Sequence, residues 1–267
     1  MSKNVVTIKT VQIAPFRTLM AALKDILLET TIYFKKTGIK MVTMDKSHTV
    51  LAYLFLRAEN FEEYNITKDN IPIGVNIYNL YKLINSIDND DTFTIFIEEQ
   101  DYNDGIVKYL GLMFENGNIK QTKIQKLKLY EPEAKERGVP DVTYPAIINM
   151  PSSDFQKIVR DLSCISEKIE IKSVANELIF RCEGTFANAE VRRVESENGL
   201  EYKGSSNQII QGVFSLKNLN YFIKCTNLCN QIEMYLGNDL PIIVKYNVAS
   251  LGEIQLGLTP LPQEDEL

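Results

Sequence analysis

The chain offers few side chains capable of catalysis. His48 is the single histidine, so general acid–base chemistry would have one imidazole to work with. The four cysteines, Cys164, Cys182, Cys225 and Cys229, lack C-x-x-C spacing, and with only His48 to add they make a zinc cluster improbable. They read as buried free thiols. There is no Walker sequence to cradle a phosphate. Carboxylate pairs such as Glu98-Glu99 read as lying in charge-rich loops, where solvation is the default. An enzyme acting on nucleic acid or phosphate is therefore the weaker alternative, and no cofactor or metal is expected.

What remains is a set of cations at helical spacing. Arg17 and Lys24 are seven residues apart, as are Lys217 and Lys224, which is two helical turns; Lys157 and Arg160 are one turn apart. With Lys82 they fall on four segments that read as helices, 15–28, 76–86, 151–163 and 215–225. In the first, Phe16, Leu19, Met20, Leu23, Ile26 and Leu27 form one apolar stripe; in the third, Phe155, Ile158, Val159 and Leu162 repeat it. Ser152 and Ser153 follow Pro151 there and read as helix-capping hydroxyls. The four segments carry seven basic and three acidic residues, a balance of +4, which leaves −10 for the rest of a chain whose total is −6. Cations gathered on one surface would hold phosphates without reading bases, and the acidic remainder would repel nucleic acid elsewhere.

The elements that carry these cations occur twice. GVNIYNLYKLINSIDNDDTFTIFI from Gly74 corresponds to GVFSLKNLNYFIKCTNLCNQIEMYL from Gly212, each reading Gly-Val, short helix, strand. Strand-like runs such as HTVLAYLFLRAE and ELIFRCEG separate the helices, with Asp104-Gly105 and Asn116-Gly117 as hairpin turns. The order helix, strands, helix, strands appears once before about residue 126 and once after about residue 143. This implies two homologous α+β domains, residues 1–126 and 146–267, joined by an exposed connector, 127–145. No apolar run approaches the roughly 20 residues that cross a bilayer, and no signal-peptide core follows Met1, so an intracellular protein without membrane contact is expected.

Four ordered blocks resemble the sliding DNA clamps typified by proliferating cell nuclear antigen. They are Met44-Asp45-Lys46-Ser47-His48; Gly74-Val75-Asn76; Met150-Pro151-Ser152 with Phe155 and Arg160-Asp161-Leu162-Ser163; and Leu258-Thr259-Pro260 before an acidic tail. The resemblance runs nearly end to end. It implies a non-enzymatic ring of three subunits, each with two clamp domains of two helices on a curved antiparallel sheet, with the helices lining a hole around duplex DNA. By resemblance, Arg17, Lys24, Lys82, Lys157, Arg160, Lys217 and Lys224 face the DNA and make loose backbone contacts.

The resemblance also implies a pocket for partner peptides, built from Met44, His48, Val139, Pro140, Pro241, Leu258, Thr259 and Pro260. Partners would be DNA polymerase, the clamp loader, and proteins with clamp-binding peptides such as flap endonuclease and DNA ligase. Subunits would pair through edge strands, Ile119, Lys120, Thr122 and Ile124 of the first domain meeting Ala187, Ala189, Val191 and Arg193 of the second. The chain departs from the family's pattern at Arg137 and Gly257, where a large apolar residue and an aromatic are common. It also has Ala175 where many eukaryotic members carry a modified lysine. Nuclear localisation, or a viral replication site in a host cell, follows from the resemblance. A clamp-like accessory protein that binds partners without encircling DNA as a homotrimer is the alternative.

Overall fold

A computed structural model describes residues 3–88, 90–133, 135–139, 141–204 and 208–262. Two compact α+β units emerge, each with two α-helices on antiparallel strands.

The first unit comprises Tyr53–Val139 with the segment up to Thr43 and Asn247–Ile254. Its five-stranded antiparallel sheet runs in the order Gln121–Lys128, Tyr109–Asn116, Thr92–Glu98, Asn4–Thr10, Glu63–Ile66. Glu29–Lys35 pairs with Gly38–Met44 on one side and Asn70–Asn76 on the other. Helix α1 (Ile13–Ile26) buries Ile13, Phe16, Leu19, Met20, Ala22 and Leu23, and α2 (Ile77–Ile84) buries Ile77, Leu80 and Ile84. The Phe16 ring meets Phe93 edge-on at 5.5 Å, and Phe93 stacks on Phe114 at 5.3 Å, which joins α1 to two strands of the sheet.

Helix α1 starts two residues earlier than the sequence suggests. Pro15 sits inside its first turn, where a missing N–H costs nothing because that donor has no intrahelical partner. It ends earlier too: Leu27 is already extended, although its N–H still donates to the Leu23 carbonyl.

The second unit comprises Pro140–Tyr246 with Met44–Ala52 and the segment from Gln255 onward. The exchange of 44–52 and 247–254 differs from a single cut in the chain, because strand partners rather than chain order decide membership. Arg57 N–H donates to the Leu251 carbonyl in the first unit, and Thr259 N–H to the Thr49 carbonyl in the second. A four-stranded sheet runs Asn188–Val194, Glu177–Glu183, Lys168–Val174, Ile210–Ser215. Ala146–Pro151 lies between Glu201–Gly204 and Gln231–Leu236, which in turn pairs with Ile242–Val248.

Helix α3 (Ser152–Ser163) buries Phe155, Ile158, Val159 and Leu162, and α4 (Leu216–Phe222) buries Leu216, Leu219 and Phe222. The repeated helix starts share a device: Asn76 accepts from Asn79 N–H, and Ser215 from Asn218 N–H.

Three sequence expectations need correction. Ser152 is not a cap: its hydroxyl donates to the Cys229 carbonyl at 2.6 Å and contacts that of Thr226 at 3.3 Å, tying α3 to a distant loop. The fourth helix stops at Phe222 and continues as a 3-10 helix, Ile223–Leu228, which carries Lys224. The cysteines are free, but only Cys182 and Cys225 are buried; Cys164 is exposed at the end of α3 and Cys229 is half-buried.

Of the turns, Asp104-Gly105 forms a two-residue hairpin with both residues at positive φ. Asn116-Gly117 opens a longer turn, in which the Asn116 side chain accepts from Asn118 and Ile119 N–H and Lys120 takes the left-handed conformation. Among the described residues no helix is long and apolar enough to cross a membrane.

Candidate nucleic-acid interface and docking surfaces

In the first unit, the cations on α1 and α2 are held. Arg17 is half-buried and its Nη2 donates to the Ile87 carbonyl at 2.6 Å. Lys24 is 2.8 Å from the Asp25 carboxylate, and this bond, with nearby negative charge outweighing a small burial effect, raises its pKa. The Lys24 ammonium also lies 5.1 Å from the Tyr81 ring centre, and that of Lys82 lies 4.3 Å from the centre of Tyr78.

In the second unit, Lys157, Arg160 and Lys217 are exposed and have no ion-pair partner among the described residues; Lys224 is also exposed. The acid in the first turn of α3, Asp154, is engaged by Arg193 at 3.0 Å.

Both outer strands that the resemblance makes subunit contacts are sheet edges. Gln121–Lys128 pairs only with Tyr109–Asn116, and Asn188–Val194 only with Glu177–Glu183, among the described strands. Their hydrogen-bond parity decides which backbone groups are open. Leu129 N–H donates to the Lys108 carbonyl beside the Tyr109/Lys128 pair, so Thr122, Ile124, Lys126 and Lys128 turn their N–H and C=O groups outward. In the second unit, Gly184 N–H donates to Ala187 O, and Glu195 N–H to Asn176 O. Ala187, Ala189, Val191 and Arg193 therefore bond inward, and Asn188, Glu190, Arg192 and Val194 point outward.

Thus Thr122 and Ile124 lie on the open side of their strand, while the residues named from sequence in the second domain spend their backbone groups inside the sheet. Ile119 (65% exposed) and Lys120 lie in the turn before the first edge. Phe186, 74% exposed beside the second edge, escaped the sequence reading because nothing in the residue types marks a turn aromatic as uncovered.

The residues assigned to a partner pocket do not share one environment. Met44 is half-buried at a strand end. His48 is exposed with φ 56°, in a turn organised by the Asp45 carboxylate, which accepts from the N–H groups of Thr49 and Val50 at 2.8 Å and from the Ser47 hydroxyl. Partial burial works against the Asp45 charge, but those bonds hold its carboxyl below the usual range. Thr259 and Pro260 are half-buried, whereas Leu258 is a core residue at 1% exposure. The Pro241 carbonyl accepts from the Tyr144 hydroxyl at 3.0 Å.

Gly257 is buried, and a Cβ there would come within 2.9 Å of Ile243 Cδ1, so an aromatic would require repacking. Val139, 42% exposed, belongs to the first unit, and Pro140 and the acidic tail from residue 263 lie outside the described residues.

The first half of the connector is strapped to the first unit. Glu136 lies 2.6 Å from Lys35 and 2.8 Å from Lys40, Glu133 N–H donates to the Thr31 hydroxyl, and Arg137 pairs with Glu133. Ala175 occupies an exposed left-handed turn at φ 52°. No group of three metal-ligating side chains occurs among the described residues. Two surface concavities, of about 390 and 700 Å³, lie beside Asn4 and around the 195–201 loop, and none of the cations or pocket residues above lines them.

Two family descriptions tile the sequence. The N-terminal domain of proliferating cell nuclear antigen matches residues 5–136, and its C-terminal domain matches residues 138–261. Both are halves of non-enzymatic sliding clamps of DNA replication. The chain therefore belongs to the proliferating cell nuclear antigen family.

Proposed function

We propose that this chain is one subunit of a homotrimeric ring that encircles duplex DNA and tethers DNA polymerase and other replication and repair proteins to it. The observation that carries the reading is the succession of two clamp domains along almost the whole chain. Support comes from the cations on the helices of both units and from an open edge strand in each, since an exposed edge needs a partner. In this reading Arg17, Lys24, Lys82, Lys157, Arg160, Lys217 and Lys224 make sequence-independent phosphate contacts. The domains divide at a connector over residues 127–145. A clamp loader opens the ring, and peptides of polymerase, flap endonuclease and DNA ligase dock around Met44, His48, Thr259 and Pro260. The site of action is the nucleus, or a viral replication site.

Light scattering and a topological assay test this together. The expected result is a mass near three times 30.5 kDa, with rings retained on nicked circular DNA after loading and released when the circle is cut. A monomer, or equal retention on circular and linear DNA, overturns it.

A further inference from the structure

We infer that Tyr78 and Tyr81 of α2 are DNA-backbone contacts, their phenol hydroxyls donating to phosphate oxygens drawn in by Lys24 and Lys82. The inference rests on the clamp reading above for the identity of the ligand, and adds two residues that no charge count would select.

Tyr78, Tyr81 and Lys82 stand at i, i+3 and i+4 and so share one face of α2, while Ile77, Leu80 and Ile84 are buried. Tyr78 is 47% exposed, so its ring edge and hydroxyl are open to a ligand. Each ring carries an ammonium: Lys82 at 4.3 Å over Tyr78, and Lys24, from α1, at 5.1 Å over Tyr81. A cation over an aromatic face restricts both partners, so the two lysines and two phenols form a prearranged cluster. Neither tyrosine hydroxyl has a hydrogen-bond partner among the described residues.

The chemistry of the cluster selects its occupant. An ammonium only donates hydrogen bonds, and a phenol donates well to an anionic oxygen, so a row of acceptors carrying negative charge fits. Among the described residues, Asp25 is the one carboxylate paired with either ammonium, so the cluster is left positive. In duplex DNA the bases are stacked on one another and offer the rings no free face, whereas phosphates line the outside.

The test compares two double variants of the full-length trimer binding a short labelled duplex, from low to physiological salt. Tyr78→Phe with Tyr81→Phe keeps the rings and the cation contacts but removes both hydroxyls. Affinity is expected to fall about threefold to tenfold at every salt concentration with the salt slope unchanged, because neutral donors release no counterions. Lys24→Ala with Lys82→Ala is expected to lower affinity and also make the slope shallower by about 1.8, since each neutralised phosphate contributes about 0.9. If the lysine variant behaves so and the phenylalanine variant binds like the parent, the tyrosine contact is wrong and the clamp reading stands. If neither changes, the placement of DNA against α1 and α2 fails as well. A phenylalanine variant with a shallower slope would mean that the tyrosines act by holding the ammonium groups, and would overturn direct contact.

Discussion

Arg193 Nη2 lies 3.0 Å from Asp154 Oδ2, which links the open edge strand of the second unit to the first turn of α3. The pair engages one of the two acids on α3, one turn before Lys157, and both partners are more than a third exposed, so its contribution to stability is small. Asp154→Asn, which also removes a favourable charge near the helix N-terminus, is expected to lower the melting temperature by no more than about 4 °C. It should strengthen duplex binding and steepen its salt dependence. Weaker DNA binding by a folded trimer would contradict the role given to α3.

The parity of the Asn188–Val194 strand separates two proline substitutions one residue apart. The Arg192 N–H points away from the sheet, so Arg192→Pro should leave a folded subunit that no longer trimerises. The Val191 N–H bonds inside the ladder, and Val191→Pro should cost roughly 1–3 kcal/mol of subunit stability as well. Light scattering and thermal melting distinguish them. An Arg192→Pro trimer would rule out backbone pairing along this edge.

This contrast marks where the sequence stops being informative. Side-chain alternation shows that Ala187, Ala189 and Val191 share a face, but which backbone groups face outward depends on the hairpin register, which composition does not encode. Helix faces were legible because Phe16, Leu19, Leu23 and Phe155, Ile158, Leu162 follow the helical period whatever their surroundings. Ser152 has the local pattern of a cap, but its acceptor, the Cys229 carbonyl, is 77 residues away and no local pattern announces it. Leu258 was read as pocket wall through the family block around it, yet the strand Gly252–Leu258 turns it into the core. The cations were legible as charges, but not the Ile87 carbonyl that holds Arg17, nor the two tyrosine rings.

Acid stability should report on Glu233. Burial opposes its ionisation, but the hydrogen bonds from Lys203 and the Tyr235 hydroxyl, with the charge of Lys245 at 3.4 Å, bring its pKa down to about 2 from an ordinary 4.5. A carboxylate whose folded pKa lies below its unfolded value stabilises the fold above the unfolded pKa and loses that contribution as pH falls towards the folded one. Between pH 4.5 and about 2, stability should therefore fall with acid, and the Glu233→Gln protein should start less stable but decline less steeply over that window. Parallel declines in denaturant titrations across this range would show that other carboxylates control it.

Partner docking can be separated from packing within one strand end. Met44→Glu changes a half-buried side chain beside the Asp45 turn and should abolish polymerase-dependent processivity while the trimer still loads on DNA. Leu258→Ala empties a core position and should cost about 2–5 kcal/mol, with partner loss only as a consequence of unfolding. Intact polymerase binding by the Met44→Glu trimer would move the docking surface elsewhere.

The exposed cations of the second unit give the most direct test of whether DNA lies against its helices. Lys157, Arg160 and Lys217 are exposed and have no ion-pair partner among the described residues, so substituting all three with alanine should leave melting nearly unchanged. Each contributes to phosphate neutralisation only if the helix faces DNA. The salt slope of duplex binding should then become shallower by up to about 2.7, and processivity should fall equally on every template, because phosphate contacts carry no sequence information. Loss on some sequences and not others would point to base recognition. An unchanged slope in an intact trimer would place the DNA away from α3 and α4.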